Sequence, residues 1–468
     1  MPKAFIFSLA FSVIAQGALH FPAMGAVPIS GNAGCIIQVQ NKMIFVKDLW
    51  SGRYSLPAGT AERGETPAQT AQRETLEETG ISVKVGALLA QAPNGFSIFE
   101  CSPNDGLVPV LNHFRIPHPK GAFNEISEVI LSNPVDIPIG KWRFQSQINL
   151  INDTFQKLDP FQSARTIPAR LNPDSIVSAE LQWISDIQRS RASWITSFIR
   201  FISFLGGKAI LIVLLLFLWF VVDRCKGMEA CFLLGVTVLA HQITKQAFGS
   251  YRPFHYMPNL QFDNATGFGF PSSRTAELWV IWVFIASQFR FPGRWGVAIG
   301  MILWGGVAQV YVGVQFVHDV LGGWLLGALI LLGYEFYRKR GRRPGIGLFI
   351  GLKDWAIISL IFGVVALVVE FNPETVAVVS LVAGLLIGLA ARHAGISKKH
   401  SVSRFGKFEG HAQFLIAILG LFLIEKAAKF CFPTDAAFFP CFLNTVTKYM
   451  LMGIWIGSQP VRPKKVRT

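Results

Sequence analysis

The chain has 468 residues, 51% of them hydrophobic and 13% aromatic, with a mean hydropathy of +0.42, which excludes an ordinary soluble protein of this length. Lysine and arginine number 43 against 28 acidic residues, a formal net charge of +15. Much of that excess sits in connections between apolar runs of the second half, so it is read as membrane topology and no nucleic-acid partner is expected. Six cysteines without C-x-x-C spacing give no zinc site.

In chain order, Lys3 precedes an apolar stretch from Ala4 to Leu19 and small residues at Ala23-Met24-Gly25-Ala26. Residues 1–26 therefore resemble a secretory signal cleaved near Ala26, or an uncleaved anchor. Residues 30–165 read as a small α+β domain. Cys35 to Val39 and Met43 to Val46 suggest a hairpin around Asn41-Lys42. Ser51 to Pro57 leads into a loop and helix, Val83 to Ala90 and Val108 to Ile116 look like further strands, and Ile148 to Leu158 looks like a closing helix.

The segment from Gly59 to Ile81, GTAERGETPAQTAQRETLEETGI, carries the chemistry of this domain. Thr66-Pro67 opens a helix, with proline near the first turn, where its missing N–H costs least. Glu74, Glu77 and Glu78 then fall at i, i+3 and i+4, so their carboxylates share one face. Clustered carboxylates repel each other unless a cation joins them, and hard oxygen ligands select Mg²⁺ or Mn²⁺. Arg73 can neutralise Glu65 and tie the loop to the helix. Gly59 and Gly80 suit a tight loop and a left-handed helix stop. The segment resembles the Nudix box, G-x5-E-x7-R-E-U-x-E-E-x-G-U with U aliphatic, and departs from it only at Thr75. The resemblance implies a Nudix hydrolase, which cleaves a diphosphate linked to another moiety. It implies a mixed sheet with helices, catalytic roles for Glu65, Arg73, Glu74, Glu77 and Glu78, and metal ligation by Gly59, Glu74, Glu77 and Glu78. Glu125 and Glu128 are candidates for a general base outside the box.

Residues 176–202 contain an amphipathic segment, Ala179 to Phe201, suited to lying on a membrane surface. Beyond it, about nine apolar runs begin near residues 204, 228, 273, 295, 319, 355, 375, 411 and 442. The expected architecture is thus an α+β domain followed by an all-α polytopic membrane domain of about nine spans. Basic connections near Arg224, Arg290 to Arg294, Arg338 to Arg343, Arg392 to Lys407 and Arg462 to Arg467 alternate with connections almost free of Lys and Arg. Read by the positive-inside rule, the C-terminus is cytoplasmic, and the residues before the first span lie outside, in the periplasm of a bacterial inner membrane. Cys35 with Cys101, or Cys431 with Cys441, would be disulfide candidates there, whereas Cys225 and Cys231 would stay reduced.

Within residues 203–340, Lys245 to Pro253 fits K-x6-R-P, Phe270-Pro271-Ser272-Ser273-Arg274 follows, and Gln309 to Asp319 closes the set. The order and spacing resemble the type 2 phosphatidic acid phosphatase family, whose motifs are K-x6-R-P, P-S-G-H and S-R-x5-H-x3-D. By that resemblance the nucleophile position is Gln315, the acid position is Arg274, and the arginine of the third motif is Gln309. Glutamine forms no phosphohistidine, and arginine is too basic to donate a proton well at neutral pH. Lys245, Arg252, Ser272, Ser273 and Asp319 remain, with Arg274, Gln315 and His318, as candidate phosphate-binding groups. Residues 353–459 hold further spans without a legible motif.

These features suggest a metal-dependent diphosphate hydrolase at the outer face, acting on a lipid-linked or nucleotide-linked diphosphate while the membrane half binds a lipid phosphate. Two alternatives stay open: a membrane-domain phosphatase using His318, and a non-catalytic lipid-phosphate binding or transport protein. Membrane lipids are expected partners, and oligomeric state is not legible.

Overall fold

The computed structural model describes residues 32–39, 42–104, 126–158, 175–189, 197–199, 201, 203, 207–263, 265, 267–340, 352–368, 373–393, 409–431 and 438–459. The leader, the strand expected at Val108 to Ile116, and Glu125 lie outside these residues. The N-terminal half contains β1 (Ala33–Ile36), β2 (Gln38–Val39), β3 (Lys42–Asp48), β4 (Tyr54–Ser55), β5 (Ala58–Gly59), α1 (Pro67–Thr79), β6 (Val83–Gln91), β7 (Ser97–Pro103), β8 (Ile126–Ser132) and α2 (Ile148–Lys157). One sheet runs β5-β1-β7-β6, with β1 and β7 parallel. In the other, β3 pairs with β2 and β4 along one edge and with β8 along the other.

The apolar run Cys35-Ile36-Ile37-Gln38-Val39 is buried on both faces because helices cover both sides of it. Cys35, Ile37 and Val39 pack toward Ala71 of α1. Ile36 packs on the opposite side with Met43, Phe45, Trp142, and Ile151 and Phe155 of α2. Side chains alternate across a strand, so a continuous apolar run signals two covered faces. The hairpin expected around residues 41 and 42 is present as the β2–β3 pair, with Val39 opposite Lys42. A disulfide joins Cys35 of β1 to Cys101 of β7 across the parallel pair, with Cα atoms 5.5 Å apart. The side chain of Cys431, in the other proposed pair, lies outside the described residues.

The remainder is helical: α3 (Ser175–Arg189), α4 (Lys208–Phe217, continued by a π-turn to Val222), α5 (Arg224–Phe248), α6 (Ser273–Gln288), α7 (Arg294–Tyr311), α8 (Val317–Arg340), α9 (Leu352–Val368), α10 (Pro373–His393), α11 (Glu409–Cys431) and α12 (Phe438–Ser458). Among the described residues, α4 to α12 follow the nine apolar runs. Four stretches are long and apolar enough to cross a bilayer: Arg224–Tyr256, Val317–Lys339, Pro373–Arg392 and His411–Ala428. The others fall short of that measure for simple reasons. Helix α6, for example, has 16 residues where a straight crossing needs about 20, and it carries Arg274 and Glu277.

Helices α10 and α12 run parallel. A Cβ at Gly384 would strike Met450, and one at Gly388 would strike the backbone at Ile454 and Ser458, so the contact advances along both helices together. Near the start of α10, Glu374 accepts a hydrogen bond from Gln242 of α5 at 2.7 Å, one residue from His241 and three from Lys245. The N-terminal end of α12 therefore lies on the same side of the bundle as Lys245. There Phe442 meets Trp50, from the β3–β4 turn, with ring centroids 5.8 Å apart. The α+β half thus touches the bundle on the side that carries the phosphatase-like motifs.

Candidate functional site

Helix α1 begins with a capping box. Thr66 Oγ1 accepts from Gln69 N, and Gln69 Oε1 accepts from Thr66 N at 2.9 Å. It ends at Gly80, whose φ of 66° is left-handed and whose N–H donates to Leu76 O at 2.8 Å. The buried underside includes Ala71, Thr75 and Glu78. Thr75, the exception to the box, is fully buried, and its hydroxyl donates to Ala71 O at 2.7 Å. A satisfied hydroxyl is tolerable where an aliphatic side chain is usual.

Arg73 is the hub of the exposed side. Its Nε donates to Glu65 Oε1 at 2.7 Å and its Nη2 to Glu65 Oε2 at 3.0 Å, a two-pronged pair that closes the loop on the helix. Its Nη1 donates to Glu74 at 2.8 Å and Glu77 at 3.1 Å, and Nη2 also reaches Thr60 O. The Arg73 guanidinium, helped by the Glu62 backbone N–H, pulls the Glu65 carboxyl down to about 2. The same pairing raises Arg73 further still. Glu78 is 7% exposed and its Oε2 accepts from Ala58 N at 2.8 Å, which fixes it against β5. A Cβ at Gly59 would overlap the Glu74 carboxylate, so any larger residue here must push that side chain from its place.

The donor chemistry fits a hard divalent cation, since the three carboxylates of α1 and the Gly59 carbonyl of β5 are all oxygen. In the arrangement described here Arg73 lies between Glu74 and Glu77. Among the described residues no three such side chains converge on one point close enough to share an ion. Glu128 is committed elsewhere, bonded at 3.1 Å to Lys47, its neighbour across the β3–β8 pair.

The second site lies where α5, α6 and α8 meet. Three successive backbone carbonyls, Gly267, Phe268 and Gly269, are engaged by side chains from separate motif segments. Arg252 Nε donates to Gly267 O at 2.9 Å and Lys245 Nζ to Phe268 O at 2.9 Å. The Gln315 amide, oriented to satisfy its neighbours, donates to Gly269 O at 3.0 Å and to Asp319 Oδ2 at 3.1 Å, while its oxygen accepts from Arg252. Asp319 is fully buried, its Oδ2 also accepts from Phe316 N at 2.9 Å, and its Oδ1 has no hydrogen-bond partner. Ser272, at the start of α6, is fully buried with an unpartnered hydroxyl. Ser273 opens α6 beside it.

Two of the expected binding residues point elsewhere. Arg274 donates to Ser203 Oγ at 2.8 Å and lies 3.6 Å from Asp263. Gln309, at the third-motif arginine position, shares Ser203 at 3.4 Å. His318 stands between two carboxylates, with Nδ1 3.2 Å from Glu180 Oε2 and Nε2 3.6 Å from Asp319 Oδ1. Nδ1 is thus engaged by Glu180, while Nε2 lies beyond hydrogen-bond distance of Asp319. One turn below Lys245, His241 lies fully buried 3.5 Å from Glu277. Glu180 and Ser203 carry no sequence signal of these contacts, because their partners are 137 and 71 residues away or more.

The NUDIX domain family model matches residues 19–129, and the PAP2 superfamily model matches residues 226–342. A MutT-like protein from Streptomyces ambofaciens is 31% identical over 80 residues, 16% of this chain and 52% of that protein, so the chain spans about half the length of the curated relative it matches. The first transmembrane PAP2 type phosphatidylglycerolphosphate phosphatase of Bacillus subtilis is 24% identical over 36% of this chain and 90% of that one, with a TM-score of 0.33. A NUDIX hydrolase from Nitrosomonas europaea is 25% identical over 27% of this chain and 69% of its own, with a TM-score of 0.21.

Proposed function

We propose that this chain, in which a NUDIX domain is joined to a PAP2 superfamily domain, is a membrane-bound hydrolase of a lipid-linked or nucleotide-linked diphosphate. The chemistry belongs to the Nudix half, and the membrane half binds a phosphate. The observation that carries this reading is the contrast between the two sites. Arg73 joins Glu65, Glu74 and Glu77 in one charged assembly beside Gly59, and Glu78 is bonded to the neighbouring Ala58 N. The membrane cradle instead keeps Lys245, Arg252, Ser272 and Asp319 around a glutamine.

In the reaction, water adds to one phosphorus and the bridging P–O bond breaks, so two phosphate-bearing products leave. Mg²⁺ or Mn²⁺, held by Glu74, Glu77, Glu78 and the Gly59 carbonyl, would neutralise diphosphate charge and make a water acidic enough to attack at neutral pH. The Glu65–Arg73 clamp fixes the loop against α1. Glu78 is held in place against β5 by Ala58 N. In the membrane half, Lys245 and Arg252 bring positive charge to the Gly267, Phe268 and Val314 carbonyls, and the buried Ser272 hydroxyl, which has no partner there, is a donor for a phosphate oxygen.

The Trp50–Phe442 contact supports placing both sites on one side of the bundle. With the basic connections cytoplasmic, that side is the outer face of a bacterial inner membrane. The Cys35–Cys101 disulfide fits such an oxidising compartment. The reading is tested with purified full-length protein in detergent, by following the monophosphate products formed from lipid-linked and nucleotide-linked diphosphates with Mg²⁺, Mn²⁺ or chelator. Cleavage that needs the ion and is lost in Glu77→Gln and Glu78→Gln supports it. Cleavage that is insensitive to both changes contradicts it.

A further inference from the structure

Helix α3 follows the α+β half in the chain, and its sequence suits a membrane surface. The structure gives its inner side a more specific task. Leu181 and Ile184 pack with Leu260, Val310, Phe316 and Val320 beside the third-motif segment. Gln188 Nε2, in a residue 5% exposed, donates to Leu260 O at 2.9 Å and Tyr311 O at 2.7 Å. At the other end Glu180 accepts from Val317 N at 3.1 Å and meets His318 Nδ1 at 3.2 Å. Ile176 and Trp183 remain exposed on the outward side, available to lipid.

We infer that α3 is a strap across the phosphate cradle of the membrane half and that Glu180 is its latch, an internal carboxylate that an incoming phosphate monoester must displace. This rests on the reading of that cradle as a phosphate site. The latch lies close to the cradle: Glu180 meets His318, whose Nε2 comes within 3.6 Å of Asp319, and Asp319 is bonded to Gln315 and Gln315 to Arg252. Glu180 caps the first turn of α8, where unpaired N–H groups favour an anion. A phosphate drawn to Lys245 and Arg252 brings up to two negative charges toward that carboxylate, in surroundings that screen them poorly. Repulsion then favours release of Glu180, with His318 and Val317 N left to accept the new anion. A dianionic monoester repels the latch more than a monoanionic diester does, so the latch discriminates by headgroup charge.

The test uses full-length protein in detergent and three probes: inorganic phosphate, dioctanoyl phosphatidate and dioctanoyl phosphatidylglycerol. Binding is compared for wild type, Glu180→Gln and Arg252→Ala. The expected result is phosphatidate binding that is about tenfold tighter in Glu180→Gln, abolished in Arg252→Ala, and weak for the diester in wild type. A gain seen for inorganic phosphate alone also supports the latch and assigns the ligand to free phosphate. Loss in Arg252→Ala with no change in Glu180→Gln overturns the latch and leaves the cradle standing. No binding of any probe to wild type or Glu180→Gln overturns the cradle, and the latch with it. Hydrogen exchange on wild type guards against a misfolded variant. Saturating phosphatidate should expose the amides of α3 and Val317, and unchanged protection in a protein that binds the probe overturns the strap.

Discussion

Removing the Cys35–Cys101 bridge perturbs the α+β half at a defined point. The two cysteines are 66 residues apart in sequence and join the adjacent strands β1 and β7. Chain-entropy reasoning for a loop of that size gives about 4.4 kcal/mol at 25 °C, and measured bridges more often contribute about 2–4 kcal/mol. Both sulfurs lie in the core beside Ala71, so alanine at each position also leaves a small cavity. In a domain of this size about 3 kcal/mol lowers the melting temperature by roughly 10 °C. Calorimetry of the full chain in detergent, with and without reductant and for Cys35→Ala/Cys101→Ala, should show one transition falling by that amount while the helical half is unchanged. Equal melting with and without reductant, together with maleimide labelling of both thiols in protein prepared without reductant, would refute the reasoning. It would also remove the support the bridge gives to an outward-facing domain.

The remaining predictions concern the charged assembly on α1. Gly59→Ala should reduce diphosphate cleavage at least tenfold, because the added methyl displaces the Glu74 carboxylate, while the melting temperature moves by only a few degrees; unchanged turnover in a folded variant contradicts the close approach. Glu65 ordinarily titrates near 4.5 and is held at about 2 here, so its pairing with Arg73 is fully present above pH 4.5 and is lost as pH falls toward 2. Protection of the 59–66 loop against hydrogen exchange, taken relative to the intrinsic rate at each pH, should fall across that window in wild type and depend less on pH in Glu65→Gln, and matching profiles would argue against the clamp. Thr75→Val should change stability by no more than about 1.5 kcal/mol, the net worth of the one hydrogen bond its hydroxyl makes to Ala71 O; a larger loss in chemical denaturation would point to an unrecognised role.

The Nudix-like segment was legible because its spacing is local. Carboxylates at i, i+3 and i+4, a threonine cap and a glycine stop all follow from helix geometry, and α1 is bounded by Thr66 and Gly80 accordingly. Strand β7 is not evident from its sequence. Ser97-Ile98-Phe99-Glu100-Cys101 lacks a clean alternation because it lies between β1 and β6, and neighbours on both faces set its burial. Glu128 looked available as a base, yet its partner Lys47 is fixed by a cross-strand register that one sequence does not reveal.

In the membrane half, the motif order located Lys245, Arg252, Ser272 and Asp319 in one cradle. Gln315 and Arg274, at positions where the resembled motifs carry histidine, give no sign in the sequence of what they contact. Where those side chains turn depends on tertiary partners, Ser203 for Arg274, and Gly269, Asp319 and Arg252 for Gln315. The apolar runs located the helices well, whereas length and composition qualify four stretches as crossings, because short helices such as α6 mix apolar and charged residues.

The most direct test of which half carries the chemistry is Mg²⁺-dependent phosphate release from undecaprenyl diphosphate by wild type, Glu78→Gln and Asp319→Asn in parallel. The account predicts release by wild type, loss of at least a hundredfold in Glu78→Gln, and turnover in Asp319→Asn that persists with a higher KM. Release that survives in Glu78→Gln and disappears in Asp319→Asn would place the reaction in the membrane cradle and contradict the account.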